Sequence, residues 1–199
     1  MSNITEKQVD MLLPFTNKYS GKLSATELAR ENKLPQQTVS RHMNNLAKNN
    51  LIEYETKGKN KLFYFNLKKQ TTKIILKIIE NKKALRFQIK LKKISIIIDE
   101  LTTVCESLII FGSYASMSFN KDSDMDIIVL GKYNKEEINK IKQRQSIKVN
   151  EHYISYSEFS NLLNKRNTLS IEILKNHIIF GNVSKISEIF RKFSRNLFI

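Results

Sequence analysis

The segment IIFGSYASMSFNKDSDMDIIVLG, residues 109–131, carries residues whose types and spacing could do chemistry. A Gly112-Ser113 pair ends the apolar run LIIF, and ten residues later Asp124-Met125-Asp126 opens a second apolar run. If DMDIIVL is a strand, its period of two puts Asp124 and Asp126 on one face and Met125 on the other. Two carboxylates one strand step apart repel each other unless something positive lies between them. A hard divalent cation meets that need, and Mg²⁺ takes one or two carboxylates together with phosphate oxygens. Gly112 lets the backbone come close to a ligand, and Ser113 with the amides after it, at an expected helix start, presents donors to a phosphate. A phosphate cradle beside a metal-holding pair supplies the parts for nucleotidyl transfer, in which an attacking oxygen is activated and pyrophosphate leaves. Asp122, in the same loop, reads as part of a solvated turn.

This pattern, with the small Ala115 and the Ser123-Asp124 pair, resembles the signature of the DNA-polymerase-beta-like nucleotidyltransferase superfamily, and in size its minimal nucleotidyltransferases. The resemblance spans about residues 106–180. It implies that Gly112 and Ser113 bind nucleotide phosphates and that Asp124 and Asp126 bind Mg²⁺. It also implies a third carboxylate on a later strand, which helps hold the catalytic metal and deprotonate the acceptor. Glu151, in KVNEHYISY, is the candidate, so that Asp124, Asp126 and Glu151 together form the expected catalytic and metal-binding set for two Mg²⁺ ions and a nucleoside triphosphate. A shift of one residue puts Asn150 or His152 there instead, and neither replaces a carboxylate without loss. Met117 stands where the family usually has Gly.

The elements that must position these residues alternate along 105–199. Strands are expected at SLIIF, DMDIIVL and IKVNEHYISY, and helices in NKEEINKIKQ, SEFSNLLNK, LSIEILKNH and the tail VSKISEIFRKFSRNLF. Alternation of this kind predicts a small α/β domain with a mixed sheet. Cys105 reads as a small apolar residue at a helix–strand junction, and no chemistry is assigned to His42 or His177.

The first 68 residues read differently. Thr5 with Gln8, and Ser24 with Glu27, have capping-box spacing and open two helices. Pro14 breaks or kinks the first helix, and Pro35 suits the first turn of a third, PQQTVSRHMNNLAKNN. Val39, Met43 and Leu46 recur at helical spacing, which leaves Gln36, Gln37, Ser40, Arg41 and Asn44 facing outward. Two strands follow, LIEYE and KLFYFNL, joined through Gly58 with Lys57, Lys59 and Lys61 at the tip. From Thr5 to Leu67 the order resembles a winged helix-turn-helix of the MarR-like kind. In such a domain the outward residues of the third helix would read base edges of double-stranded DNA, and the wing lysines would meet phosphates.

Residues 69–104 contain neither Gly nor Pro and repeat isoleucine at near-helical spacing, predicting one bent or two straight helices. Exposed apolar stripes on such a connector suggest a homodimer through it. The predicted fold is therefore α+β in two domains: residues 1–68 a winged helix-turn-helix, 69–104 a helical connector, and 105–199 a nucleotidyltransferase-fold domain.

Composition agrees with a polyanionic partner. The chain of 199 residues has a net charge of +15. Residues 1–70 hold 12 basic and 6 acidic side chains, 71–105 hold 8 and 3, and 106–199 hold 14 and 10, so the excess is densest toward the N-terminal half. Such a surface attracts phosphates and releases counterions. The lone Cys105 excludes an internal disulfide and fits a reducing cytoplasm. No apolar stretch approaches the length of about 20 residues that spans a bilayer, so no membrane role is expected. Three functions fit these features. The first is a DNA-binding transcriptional regulator whose second domain binds a nucleoside triphosphate with Mg²⁺ and can pass NMP to a hydroxyl acceptor. The second is an active minimal nucleotidyltransferase, antitoxin-like or small-molecule-modifying, brought to nucleic acid by its winged helix. The third is a binding-only scaffold.

Overall fold

The computed structural model describes residues 4–196. The chain divides into two compact units, Met1–Lys82 with Phe190–Ile199, and Lys83–Ile189.

In the first unit the local signals in the sequence become hydrogen bonds. Thr5 caps α1 (Glu6–Leu12): its hydroxyl accepts from the Gln8 amide at 3.3 Å, and Gln8 Oε1 accepts from the Thr5 amide at 2.9 Å. Pro14 falls at the start of a 3-10 turn, Leu13–Asn17, where its missing N–H removes no helical bond. After β1 (Leu23–Ser24), Ser24 and Glu27 form a second reciprocal cap and open α2 (Ala25–Asn32). Lys33, at φ +52°, turns the chain, and Pro35 leads into α3 (Gln36–Lys48) as its N-cap. The buried residues of α3 are Val39, Met43 and Leu46, as its periodicity predicts. Each contributes roughly 1.5–3 kcal/mol by leaving water, and the helix packs on α1 and α2, whose Met11, Leu12 and Leu28 are fully buried.

A hairpin of β2 (Glu53–Lys57) and β3 (Asn60–Tyr64) follows, with Gly58 at φ +59° in its turn, and β1 adds to β3 to give the order β1-β3-β2. Phe63 and Phe65 carry the sheet into the core, where Phe65 meets Phe15 edge-on at 5.1 Å.

Residues 69–104 form two helices, α4 (Gln70–Lys90) and α5 (Lys92–Val104), separated at Leu91, whose φ of −118° and ψ of 67° are not helical. On α4, Ile75, Leu76 and Ile79 are buried, while Ile74, Ile78, Leu85 and Ile89 are exposed.

The second unit is built on a four-stranded sheet. Its elements after α5 are β4 (Cys105–Phe111), α6 (Gly112–Ser116), β5 (Met125–Tyr133), α7 (Lys135–Gln143), β6 (Val149–Ile154), α8 (Tyr156–Asn164), α9 (Thr168–Lys175) and β7 (His177–Gly181), followed by α10 (Val183–Asn196), whose residues from Phe190 on belong to the first unit. Residues 197 and 198 of the expected tail helix lie outside the described residues. The strand order is β6-β5-β4-β7. The pairs β4–β5 and β4–β7 are antiparallel, whereas β5 and β6 are parallel across the α7 connection, so the sheet is mixed as expected. On one face Met125, Ile127, Val129 and Val149 join Leu108 and Ile110 in a core closed by Ile94, Ile97, Ile98 and Leu101 of α5 and by Ile138 and Ile141 of α7. The alternate residues of β5 therefore face the other way, and that is the face on which Asp124 and Asp126 stand.

Candidate functional site

The acidic pair forms where β5 begins. Asn150 settles its geometry: its amide nitrogen donates to Asp124 Oδ2 at 3.1 Å and to Asp126 Oδ1 at 3.3 Å, so both carboxylates lie on one face within reach of a single group. The parallel register places Asp126 opposite Asn150 and Met125 opposite Val149. Lys148 Nζ donates to Asp124 Oδ2 at 2.7 Å. That bond, with a smaller contribution from Asn150, holds the Asp124 carboxyl below the usual carboxylate range despite an opposing desolvation effect.

Gly112 follows β4 at φ +66°, a conformation that L side chains rarely adopt. A Cβ there would lie 2.9 Å from Asp126 Oδ2 and 3.5 Å from Glu172 Oε1. The glycine is thus the spacer that lets the chain turn immediately beside the Asp126 carboxylate. Ser113 is the second residue of the short helix α6, and its carbonyl accepts from the Ser118 amide at 2.9 Å, folding the loop back. Met117 ends that turn at φ +61°, so a non-glycine residue takes the left-handed position, at a cost of roughly 1–2 kcal/mol. Tyr114 and Phe119 stack at 4.3 Å and brace the loop. Burial, and then the Asp124 charge, push the Tyr114 hydroxyl upward. Asp122 is exposed in a turn held by Asn120 and Ser123, as a solvated residue should be.

The structure does not bring Glu151 to the acidic pair. Glu151 pairs in register with Ile127 and is ion-paired with Lys142 of α7, on the core side of the sheet. Asn150, rather than the candidate Glu151, is the β6 residue paired with Asp126. His152 lies on the same face as Asn150, its ring 6.3 Å from that of Phe111. Among the described residues no group of three or more His, Cys, Asp or Glu is arranged to hold a metal ion. Glu172 of α9 is the residue that sequence reasoning missed: sixty positions separate it from Gly112, and no local pattern links them. An open cleft of about 790 Å³ runs along the β6 edge and reaches the site at Asp126 and Asn150.

The second candidate surface is the outer face of α3 with the hairpin. Gln36, Gln37 and Arg41 are exposed, and Ser40 and Asn44 are half-buried. Asn44 donates to Ser40 Oγ at 3.3 Å and accepts from Lys61 Nζ at 2.8 Å, while Lys61 also lies 4.2 Å from the Tyr54 ring centre. Lys57 and Lys59 are exposed on either side of Gly58. His42 is kept toward its neutral form, first by partial burial and then by Arg41 and Lys7.

Helix, turn, helix and hairpin in one unit, and a glycine-turned strand end beside paired aspartates in the other, define the class: a helix-turn-helix domain followed in the chain by a domain of nucleotidyltransferase fold. Comparison with known families agrees. Residues 10–55 match the model described as a helix-turn-helix domain, and residues 92–185 match that of polymerase beta, nucleotidyltransferase. No curated protein matches the chain. A similar solved structure is that of TrmBL2, an archaeal chromatin protein described as showing a novel mode of DNA binding. It is 9% identical, with 97% of each chain covered and a TM-score of 0.24. Among the described residues no helix is long and apolar enough to cross a membrane.

Proposed function

We propose that this protein is a DNA-binding transcriptional regulator whose nucleotidyltransferase-fold domain binds a nucleoside triphosphate with Mg²⁺. The observation that carries the reading is the convergence of the Asp124 and Asp126 carboxylates on one amide, next to a glycine at which a side chain would be strained and would crowd Asp126. Two carboxylates on one face fit one hard cation that arrives with a triphosphate, and Asp124 and Asp126 would hold it. When bound, such a cation neutralises phosphate charge. Gly112 and Ser113 would lie along the phosphates, and Lys148 is long enough to reach them.

The DNA half of the reading rests on the helix-turn-helix match and on the exposed Gln36, Gln37 and Arg41 of α3, side chains able to read purine edges in the major groove. Lys57, Lys59 and Lys61 would supply phosphate contacts. A second copy would pack on exposed isoleucines of α4 such as Ile74 and Ile78, since a dimer would match two half-sites. Light scattering at micromolar concentration tests the dimer, and a monomer mass removes it.

The experiment for the whole reading is fluorescence anisotropy on the DNA upstream of the protein's own coding sequence, with and without each of the four nucleoside triphosphates and Mg²⁺. Specific binding whose affinity changes with one triphosphate, only when Mg²⁺ is present, is the expected result. Binding that is equal on random DNA and indifferent to every triphosphate would remove the regulator.

A further inference from the structure

We infer that the second domain retains its nucleotide rather than transferring it, because Lys148 and Asn150 turn a two-cation site into a one-cation site. The inference rests on the nucleotide-binding reading above and specifies what that site does.

Transfer by the two-metal route needs two divalent cations about 4 Å apart, with enough negative ligands to hold both. It also needs a group to take the proton of the attacking hydroxyl as its oxygen bonds to the α-phosphorus and pyrophosphate leaves. The face that carries Asp124 and Asp126 offers their two negative charges, and among the described residues Glu172, near Gly112, does not join them in a group of three arranged to hold a metal ion. Lys148, 2.7 Å from Asp124 Oδ2, removes one of them, so the protein side of the site is one charge negative. That balance suits a single divalent cation shared with phosphates.

Asn150 removes the proton acceptor. Both oxygens it meets belong to carboxylates, which only accept hydrogen bonds when ionised. The amide nitrogen must therefore be the atom that faces them, and it can take no proton. Glu151 cannot stand in. Its carboxylate is ion-paired with Lys142 on the other side of the sheet, and bringing it across requires a one-residue slip of β6. That slip would pull Val149, 4% exposed, out of the core and turn every side chain of β6 over. Lys148 is 74% exposed, and whether it pairs with Asp124 or with a phosphate oxygen its single positive charge stays in the site without activating an acceptor.

The test counts cations. The full chain is titrated with Mn²⁺ in the presence of the α,β-methylene analogues of ATP, CTP, GTP and UTP, and free Mn²⁺ is read by electron paramagnetic resonance. One Mn²⁺ per bound analogue is expected in the unaltered protein, and two in Asn150→Asp combined with Lys148→Met, at Mn²⁺ concentrations where the unaltered protein holds one. Two Mn²⁺ per bound analogue in the unaltered protein would overturn the inference and leave nucleotide binding standing. A double variant that folds by circular dichroism, binds analogue and still takes one Mn²⁺ would also overturn it. Failure of the unaltered protein to bind any analogue would sink the nucleotide reading itself, and this inference with it.

Discussion

On α3 Gln36, Gln37 and Arg41 are exposed to solvent, whereas Asp124, Asp126, Lys148 and Asn150, at the starts of β5 and β6, are bonded to one another. Gln36, Gln37 and Arg41 stand on the outer face of a helix whose seat depends on Val39, Met43 and Leu46. Their replacement is expected to leave that seat intact. Asp124, Asp126, Lys148 and Asn150 form a connected set, so removing one changes the charge and geometry of the others. The contrast fits the ligand proposed for each face. A DNA groove supplies its own shape and charge, and exposed donors are enough to read it. A triphosphate with its cation must have its charges met in a fixed geometry, and only side chains already held in place can do that.

The sharpest way to break this contrast is at the acidic pair. Asp126→Ala is expected to lower Mg²⁺-dependent triphosphate affinity by at least about 100-fold, since loss of even an outer partner of a metal ligand costs 10–100-fold. Isothermal calorimetry with and without Mg²⁺ reads the effect. Unchanged affinity would mean that the carboxylates hold no cation. At α3, Arg41→Ala is expected to lose about 1–3 kcal/mol of discrimination between operator and random DNA. The thermal midpoint should stay where it was. A variant that loses stability along with specificity would show that Arg41 is committed to the fold, and the comparison between the two faces would fail there.

Much of this was legible in the sequence because the signals were local. The Thr5–Gln8 and Ser24–Glu27 caps need only a spacing of three, and both form. The common face of Asp124 and Asp126 needs only a period of two. The third position of the site was not legible in the same way. Whether Asn150 or Glu151 stands beside Asp126 depends on the register of β6 against β5, which is a contact between strands 24 residues apart in sequence. Alternation within KVNEHYISY allows either choice, because Glu151 finds its partner in Lys142 rather than in water. The approach of Glu172 to Gly112 is still less visible, since only the folded sheet brings α9 there. On α4, isoleucine recurs on both sides of the helix, so periodicity alone does not say that Ile75 and Ile79 are buried while Ile74 and Ile78 are exposed.

A smaller effect sharpens the idea of a connected set. The Asp124 carboxyl titrates below its ordinary value because Lys148, and then Asn150, bond to its ionised form. The charge is therefore present above the ordinary aspartate range, near 3.9, and persists below it until the pH falls through the lowered value. Lys148→Met removes the larger cause, so the midpoint should rise toward the ordinary value in a carbon-13 titration of the side chain. A midpoint that does not move would place the ammonium elsewhere in solution and free both negative charges of the site.

The smallest expected effects lie at the hairpin, where two lysines two residues apart should behave differently. Lys59 is exposed at the tip, beside Gly58. Its loss should weaken binding to all DNA alike, by a few-fold, and reduce the slope of log affinity against log salt by about one. Lys61 is bonded to Asn44 of α3 at 2.8 Å and rests against the Tyr54 ring. Lys61→Ala should reduce the salt slope by no more than Lys59→Ala does, yet it releases the Asn44 side chain and should change which sequences are preferred. Anisotropy titrations on operator and random DNA over a range of salt separate the two effects. If both variants reduce binding equally on every sequence, the tie between wing and reading helix has no part in recognition, and Lys61 belongs with Lys59 as a phosphate contact.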